Sequence, residues 1–244
     1  MRRGAEARAA RAARRAHFAL TRARAPRLPL PSSPPRSCIF NYDEKYPVGG
    51  APIPEDYPAN YVGSFYSLTK GMVDALSPNF KHALTLRLRM PISDDLSGRN
   101  FLTKIASYAR VIDVPNSVTI LHDLLPVALT LAARRITGTF NFTNPGTMSH
   151  NECLALYKEI IDPDFWYANF SEAEQAKILK AGRCNNNLAT DKLEAALPDV
   201  KIPHVRDSMR GVFERMKANL IKAGTFPPPP RKGPKPTDAG LVVF

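Results

Sequence analysis

Three cysteines, Cys38, Cys153 and Cys184, are too few and too widely spaced for a disulfide framework, and they fit a reducing compartment. The five histidines are scattered, with no spacing that would hold a metal ion. No run approaches the roughly 18 apolar residues that would span a bilayer, so no membrane segment is expected. The longest candidate, 121–133, is short and contains Asp123 and Pro126. Acid is almost missing from residues 1–36, which carry ten Arg and one Glu. Most of the net charge of +12 lies in that stretch. The rest of the chain is nearly balanced, so nucleic acid is not an expected partner. No Gly-x-Gly-x-x-Gly or Gly-x-x-Gly-x-x-Gly occurs anywhere in the sequence. Such a loop lets backbone N–H groups and a helix N-terminus hold a dinucleotide pyrophosphate.

What is present is an alternation of strand and helix patterns, which predicts an α/β fold with a mainly parallel sheet. Strands are expected over 37–42, 83–91 and 139–143. In 83–91, Leu84, Leu86, Leu88 and Met90 alternate with Thr85, Arg87 and Arg89. Over 111–121 two β-branched pieces flank Pro115-Asn116-Ser117, as a hairpin or a strand pair. Helices are expected over 61–80, 100–108, 124–134, 152–161, 171–179 and 205–223. In the first, Phe65, Met72, Val73 and Leu76 follow a 3.6 period and Pro78 ends the run. In the third, Pro126 falls in the first turn, where proline is tolerated. Ser149-x-x-Glu152 and Ser171-x-x-Glu174 read as capping boxes, and Asp123 as a cap. Phe226 to Pro236 holds six prolines and reads as a disordered polyproline-like tail.

The most informative motif is Tyr66-Ser67-Leu68-Thr69-Lys70. A tyrosine and a lysine four apart share one helix face, and an ammonium beside a phenol favours the phenolate. A phenol so placed can protonate a carbonyl under reduction. On their own, the two residues fit equally a solvated helix surface.

The flanks narrow the choice. Ser37-Cys38-Ile39-Phe40-Asn41-Tyr42-Asp43 precedes the motif. Leu86-Arg87-Leu88-Arg89-Met90-Pro91-Ile92-Ser93, Arg99-Asn100-Phe101, Val114-Pro115-Asn116-Ser117 and Asn141-Phe142-Thr143-Asn144-Pro145-Gly146 follow it. In this order they resemble the nucleotide-sugar 3,5-epimerase/4-reductases of the extended short-chain dehydrogenase/reductase family. The resemblance runs from about residue 37 to about residue 220.

It implies a fold: the C-terminal portion of a Rossmann-type parallel sheet with a small substrate-binding subdomain. The expected organisation is an Arg/Ala/Pro-rich segment at 1–36, the reductase portion at 37–223 and a Pro-rich tail at 224–244. Residues 1–36 are expected to be a misassigned start; a targeting segment and a genuine basic tail are the alternatives. The resemblance also implies roles. Tyr66 would donate the proton to the C4 carbonyl, and Lys70 would bind the ribose of NADPH. Cys38 and Lys104 would exchange protons at C3 and C5. Arg87, Asn100, Asn144 and Arg183 would bind the UDP-sugar. For Cys38 the alternative is a small core residue, for Lys104 an exposed charge, for Arg87 a solvated or ion-paired face.

Two departures qualify this reading. The family's Thr-Gly before the cysteine is replaced by Arg36-Ser37, and the Gly-rich loop is absent. They leave open a non-catalytic module that binds a nucleotide sugar or a partner. The expected partners are the UDP-sugar and a second copy or full-length homologue, in the cytoplasm. An open sheet edge would make this chain alone prone to aggregate.

Overall fold

The computed structural model describes residues 38–178 and 183–229. The expectations for 1–36, for the Arg36-Ser37 position and for the end of the tail lie outside the described residues. Six short strands pair as three parallel ladders. Strand β1 (Leu84–Arg87) pairs with β5 (Gly138–Asn141), with Leu84 opposite Gly138 and Arg87 opposite Asn141. Strand β2 (Pro91–Ile92) pairs with β4 (Thr119–Ile120), and β3 (Arg110–Val111) with β6 (Ala168–Asn169). Helix α1 (Phe65–Leu76) precedes β1, α2 (Phe101–Ser107) follows β2, and α3 (Leu121–Ala133) follows β4. Helices α4 (His150–Ile160), α5 (Glu172–Ile178), α6 (Asp191–Ala196) and α7 (Val205–Lys222) complete the order.

Two cores divide the molecule. Leu84, Phe140, Leu124, Leu131, Leu193 and Leu197 fill the space between the β1–β5 ladder, α3 and α6. Ile92, Ile105, Ile120, Leu154, Tyr157 and Phe213 join β2 and β4 to α2, α4 and α7. A small third cluster of Ile39, Phe40, Ile53 and Leu188 covers the segment that enters from Cys38.

Helix termini follow local chemistry. The Ser64 hydroxyl accepts from Ser67 N at 3.0 Å and starts α1; Pro78 lies in the 3-10 turn that ends it. Ser149 and Glu152 close a full capping box on α4. Ser171 and Glu174 exchange the equivalent bonds on α5.

The sequence reading needs several corrections. No strand forms over 38–42; this extended segment is held instead by bonds such as Tyr42 N to Asn185 O at 2.8 Å. The two pieces of 111–121 form no hairpin, because each pairs with a strand from elsewhere. Helix α3 starts three residues early, so Pro126 sits inside it. Asp123 does not cap it; its carboxylate accepts from Asn144 Nδ2 at 2.8 Å.

The largest correction concerns α1. Its apolar residues Phe65, Met72, Val73 and Leu76 point outward, with Phe65 82% exposed, while Ser67 and Asp74 are the buried ones. The cause lies beneath the helix. The face of β1 that meets α1 carries Thr85 and Arg87, both buried. Polar groups there require polar partners. Thr85 Oγ1 meets Ser77 Oγ at 3.5 Å, and Arg87 grips Asp74 through Nε at 3.0 Å and Nη2 at 2.6 Å. The apolar stripe of α1 therefore had to face outward.

The Arg87–Asp74 fork is buried, with both side chains 6% exposed. Removing one partner leaves the other charge uncompensated. Asp74→Ala is expected to cost about 3–5 kcal/mol in urea unfolding, and the paired change Arg87→Met with Asp74→Leu to recover most of it. A loss below about 1 kcal/mol in Asp74→Ala would show that the fork does not hold α1 to the sheet.

Candidate functional site

Tyr66 and Lys70 lie in the first and second turns of α1. Tyr66 is 46% exposed, and Lys70 Nζ stands 5.5 Å from its ring centroid. The Ser64 cap fixes the helix start, and Thr69 bonds back to the Phe65 and Tyr66 carbonyls. The pair expected from the sequence is thus assembled and faces outward.

A second group forms where the Cys38 segment meets the strand exit and the 183–188 loop. Its centre is Arg89, 6% exposed. Arg89 Nη1 donates to Cys38 Sγ at 3.2 Å, and Nη2 donates to Asn116 Oδ1 at 2.6 Å and to the Cys184 carbonyl. The Cys38 thiol neighbours that of Cys184 and, with burial, raises its pKa. Cys38 has φ 65°, an uncommon left-handed backbone for a residue with a side chain. Asn116 passes the network on, accepting from Asn186 N at 3.1 Å and donating to Asn185 Oδ1 at 3.0 Å.

Tyr61 packs against this group. Its phenol pKa is raised by burial first and by both cysteines next, against the pull of Arg183 and Arg89. Its hydroxyl is buried with no hydrogen-bond partner among the described residues. A Cβ at Gly63 would stand 2.3 Å from that hydroxyl, so only glycine permits the ring to lie there. Arg183 is exposed, and its side chain makes no hydrogen bond or ion pair among the described residues. A guanidinium at such a place suits a phosphate group.

His150 lies close enough to Arg89 to feel its charge. Its ring tilts against Phe101 at 5.4 Å, at the start of α2. Burial, then Arg89, pushes its pKa down to about 4, against Asp113 and a bond to the Ile112 backbone. Tyr42, pushed up to about 12 by burial with Arg89 opposing, donates to the Pro115 carbonyl at 2.9 Å.

The remaining expected site residues fall elsewhere. Lys104 is exposed on α2, and its side chain makes no hydrogen bond or ion pair among the described residues. Arg87 is committed to Asp74 and to the Glu55 carbonyl at 3.0 Å, bonds that fasten α1 to the sheet. Asn100 staples the loop before α2 by donating to the Ser93 and Asp95 carbonyls at 2.8 and 2.9 Å. Asn144 is fully buried; it accepts from Ile120 N at 2.9 Å and donates to Pro203 O at 3.2 Å. Both asparagines hold loops, and neither offers an unused donor to solvent. Arg89, Tyr61, Asn116, His150 and Cys184 are the site members that the sequence reading left out.

No family model matches the chain. A bifunctional dTDP-4-dehydrorhamnose 3,5-epimerase/dTDP-4-dehydrorhamnose reductase of Arabidopsis thaliana is 48% identical over 189 residues, 76% of this chain and 62% of that protein. A crystal structure of a UDP-rhamnose synthase from Acanthamoeba polyphaga mimivirus superposes with TM-score 0.69 at 42% identity. That match covers 74% of this chain and 63% of the other. The chain's homologues are rhamnose-forming epimerase/reductases. It spans just over three fifths of these two relatives. A dTDP-4-dehydrorhamnose reductase from Clostridium acetobutylicum, 18% identical with TM-score 0.57, shares the fold. The architecture is α/β with parallel strand pairs, and it matches these Rossmann-like reductase structures. No helix among the described residues is long and apolar enough to cross a membrane.

The depressed His150 gives the site a pH signature. Between about pH 6.5 and about 4 the unfolded chain binds a proton that folded His150 refuses. Stability is therefore complete above that window and falls as the pH drops through it. The expected loss is roughly 1–3 kcal/mol. Urea unfolding between pH 7.5 and 4.5 should show a steeper fall for the natural chain than for His150→Gln. Parallel curves would contradict a neutral His150 in the folded site.

Proposed function

We propose that this chain carries the sugar-facing part of a nucleotide-sugar 3,5-epimerase/4-reductase that forms UDP-rhamnose from UDP-4-keto-6-deoxyglucose. The observation that supports it best is the Tyr66–Lys70 pair on a capped helix, the phenol exposed and the ammonium 5.5 Å from the ring centroid. Reduction of a C4 ketone places negative charge on its oxygen. The Tyr66 hydroxyl supplies the proton, and Lys70 offsets the charge that the phenol then carries.

Epimerisation precedes reduction. A proton leaves the carbon beside the ketone on one face and another arrives on the opposite face. Cys38 and Lys104 take these roles. Cys38 is held by Arg89, whose guanidinium stabilises an anionic sulfur or an enolate oxygen near it. Lys104 is the proton partner on a solvent-facing helix. Arg183 takes the diphosphate of the UDP-sugar.

NADPH supplies the hydride when bound. The described residues fit its nicotinamide-ribose end, where Tyr66 and Lys70 stand together. They do not fit its pyrophosphate end, for which the sequence has no Gly-rich loop. A second copy is proposed to cover the apolar face of α1, where Phe65, Met72, Val73 and Leu76 are exposed.

Epimerisation needs no nicotinamide, so it reads the Cys38 part of the site alone. Incubated with UDP-4-keto-6-deoxyglucose in deuterium oxide, the full chain is expected to wash deuterium into C3 and C5. Cys38→Ser is expected to slow this by about 10²–10⁴-fold. Tyr66→Phe is expected to act on rhamnose formation and not on the wash-in. No wash-in, with UDP-sugar still bound, would favour a binding module over an enzyme. Equal loss of both steps in Tyr66→Phe would contradict the division of roles.

A further inference from the structure

We propose that Cys38 and Cys184 form a reversible disulfide, a modification that withdraws the Cys38 thiol from the site. The two residues are far apart in sequence, yet one guanidinium holds both. Arg89 Nη1 donates to Cys38 Sγ at 3.2 Å while Nη2 donates to the Cys184 carbonyl. The Cys38 thiol is also near enough to Cys184 to raise its pKa. The loop bearing Cys184 is sewn to the Cys38 segment on both sides. Tyr42 N donates to Asn185 O at 2.8 Å, Asn185 N to Asn41 Oδ1 at 2.8 Å, and Asn186 Nδ2 to Phe40 O at 3.0 Å. The two cysteine-bearing segments are therefore held together by fixed backbones. The left-handed backbone at Cys38, with φ 65°, is strain that such fixtures maintain.

The third cysteine shows what an inert thiol looks like. Cys153 is 1% exposed in the α4 core, and burial pushes its pKa up to about 12. Cys38 differs: it is half-buried and takes a guanidinium N–H, the kind of contact that supports a reactive sulfur. Cys184 is buried, and its thiol pKa is raised by the Cys38 thiol and by burial. This division assigns the order of events.

The oxidant is a small-molecule disulfide such as oxidised glutathione. Cys38 sulfur attacks one of its sulfurs, the S–S pair leaves with the other, and that sulfur takes up the proton. Cys184 then gives up its proton and attacks Cys38 Sγ, releasing the second small thiol. Two protein thiols are oxidised by two electrons in all, and one disulfide is reduced to two thiols. The disulfide does not rest on the epimerase/reductase reading; only its effect on sugar chemistry does.

The test is a redox titration of the full chain in glutathione buffers, quenched with iodoacetamide and read by intact mass and peptide mapping. The expected result is one transition in which two thiols vanish together, no glutathione remains attached, and the Cys38 and Cys184 peptides are linked. Cys153→Ser should leave the transition unchanged. Cys184→Ser should replace it with a stable glutathione adduct on Cys38. A stable glutathione adduct on Cys38 in the natural chain, a link to Cys153, or two thiols that persist under oxidation would overturn the proposal. If Cys184→Ser fails to fold, the peptide map of the natural chain decides alone.

Discussion

The buried guanidinium of Arg89 is the constraint on which the candidate site depends. It ties the Cys38 segment, Asn116 before β4 and the Cys184 loop to the stretch between β1 and β2 that carries it. Its own backbone is stitched to Thr119, donating to Oγ1 at 3.0 Å and accepting from N at 2.7 Å. A cation out of water costs several kcal/mol unless acceptors replace the solvent. Here the acceptors are an amide oxygen, a carbonyl and a sulfur, and no carboxylate forms an ion pair with it among the described residues. Arg87, two residues earlier, shows the other solution, a carboxylate fork that neutralises the charge. One arginine is spent on fastening α1. The other keeps a positive field at the Cys38 sulfur, where an enolate or thiolate would need it.

Polarity also explains the arrangement around α1. Because polar groups of β1 face the helix, the helix buries Ser67 and Asp74 and presents its apolar stripe outward. The same orientation leaves Tyr66 exposed with Lys70 half-buried beside it. Helix placement, the Tyr66–Lys70 geometry and the apolar outer surface are thus three consequences of one polar interface.

Much of the secondary structure was legible because its signals are local. The Ser149 and Ser171 capping boxes, the Leu84–Arg87 alternation and the periodicity of 205–223 each act within a few residues. The orientation of α1 was not legible, since periodicity identifies an apolar face without saying what lies opposite. The different settings of Arg87 and Arg89 were not legible for a related reason. Alternation puts both on one side of a strand, yet β1 ends at Arg87 and Arg89 lies beyond it. The loop-holding bonds of Asn100 and Asn144 were not legible, because polar residues beside a sugar site and polar staples of a loop look alike in sequence. Cys184 was counted but not placed, as nothing local ties it to Cys38. The Tyr66–Lys70 pair was legible because its spacing alone sets its geometry.

The most direct test of the account is urea unfolding of Arg89→Lys beside the natural chain, with Cys38 alkylation followed in both. Lysine keeps the charge and loses the fork that reaches three segments. The account predicts a loss of about 3 kcal/mol or more, and faster alkylation of Cys38 as its segment loosens. A variant that unfolds at the natural midpoint, with Cys38 reacting at the natural rate, would contradict it, and the site would then owe its shape to something other than Arg89.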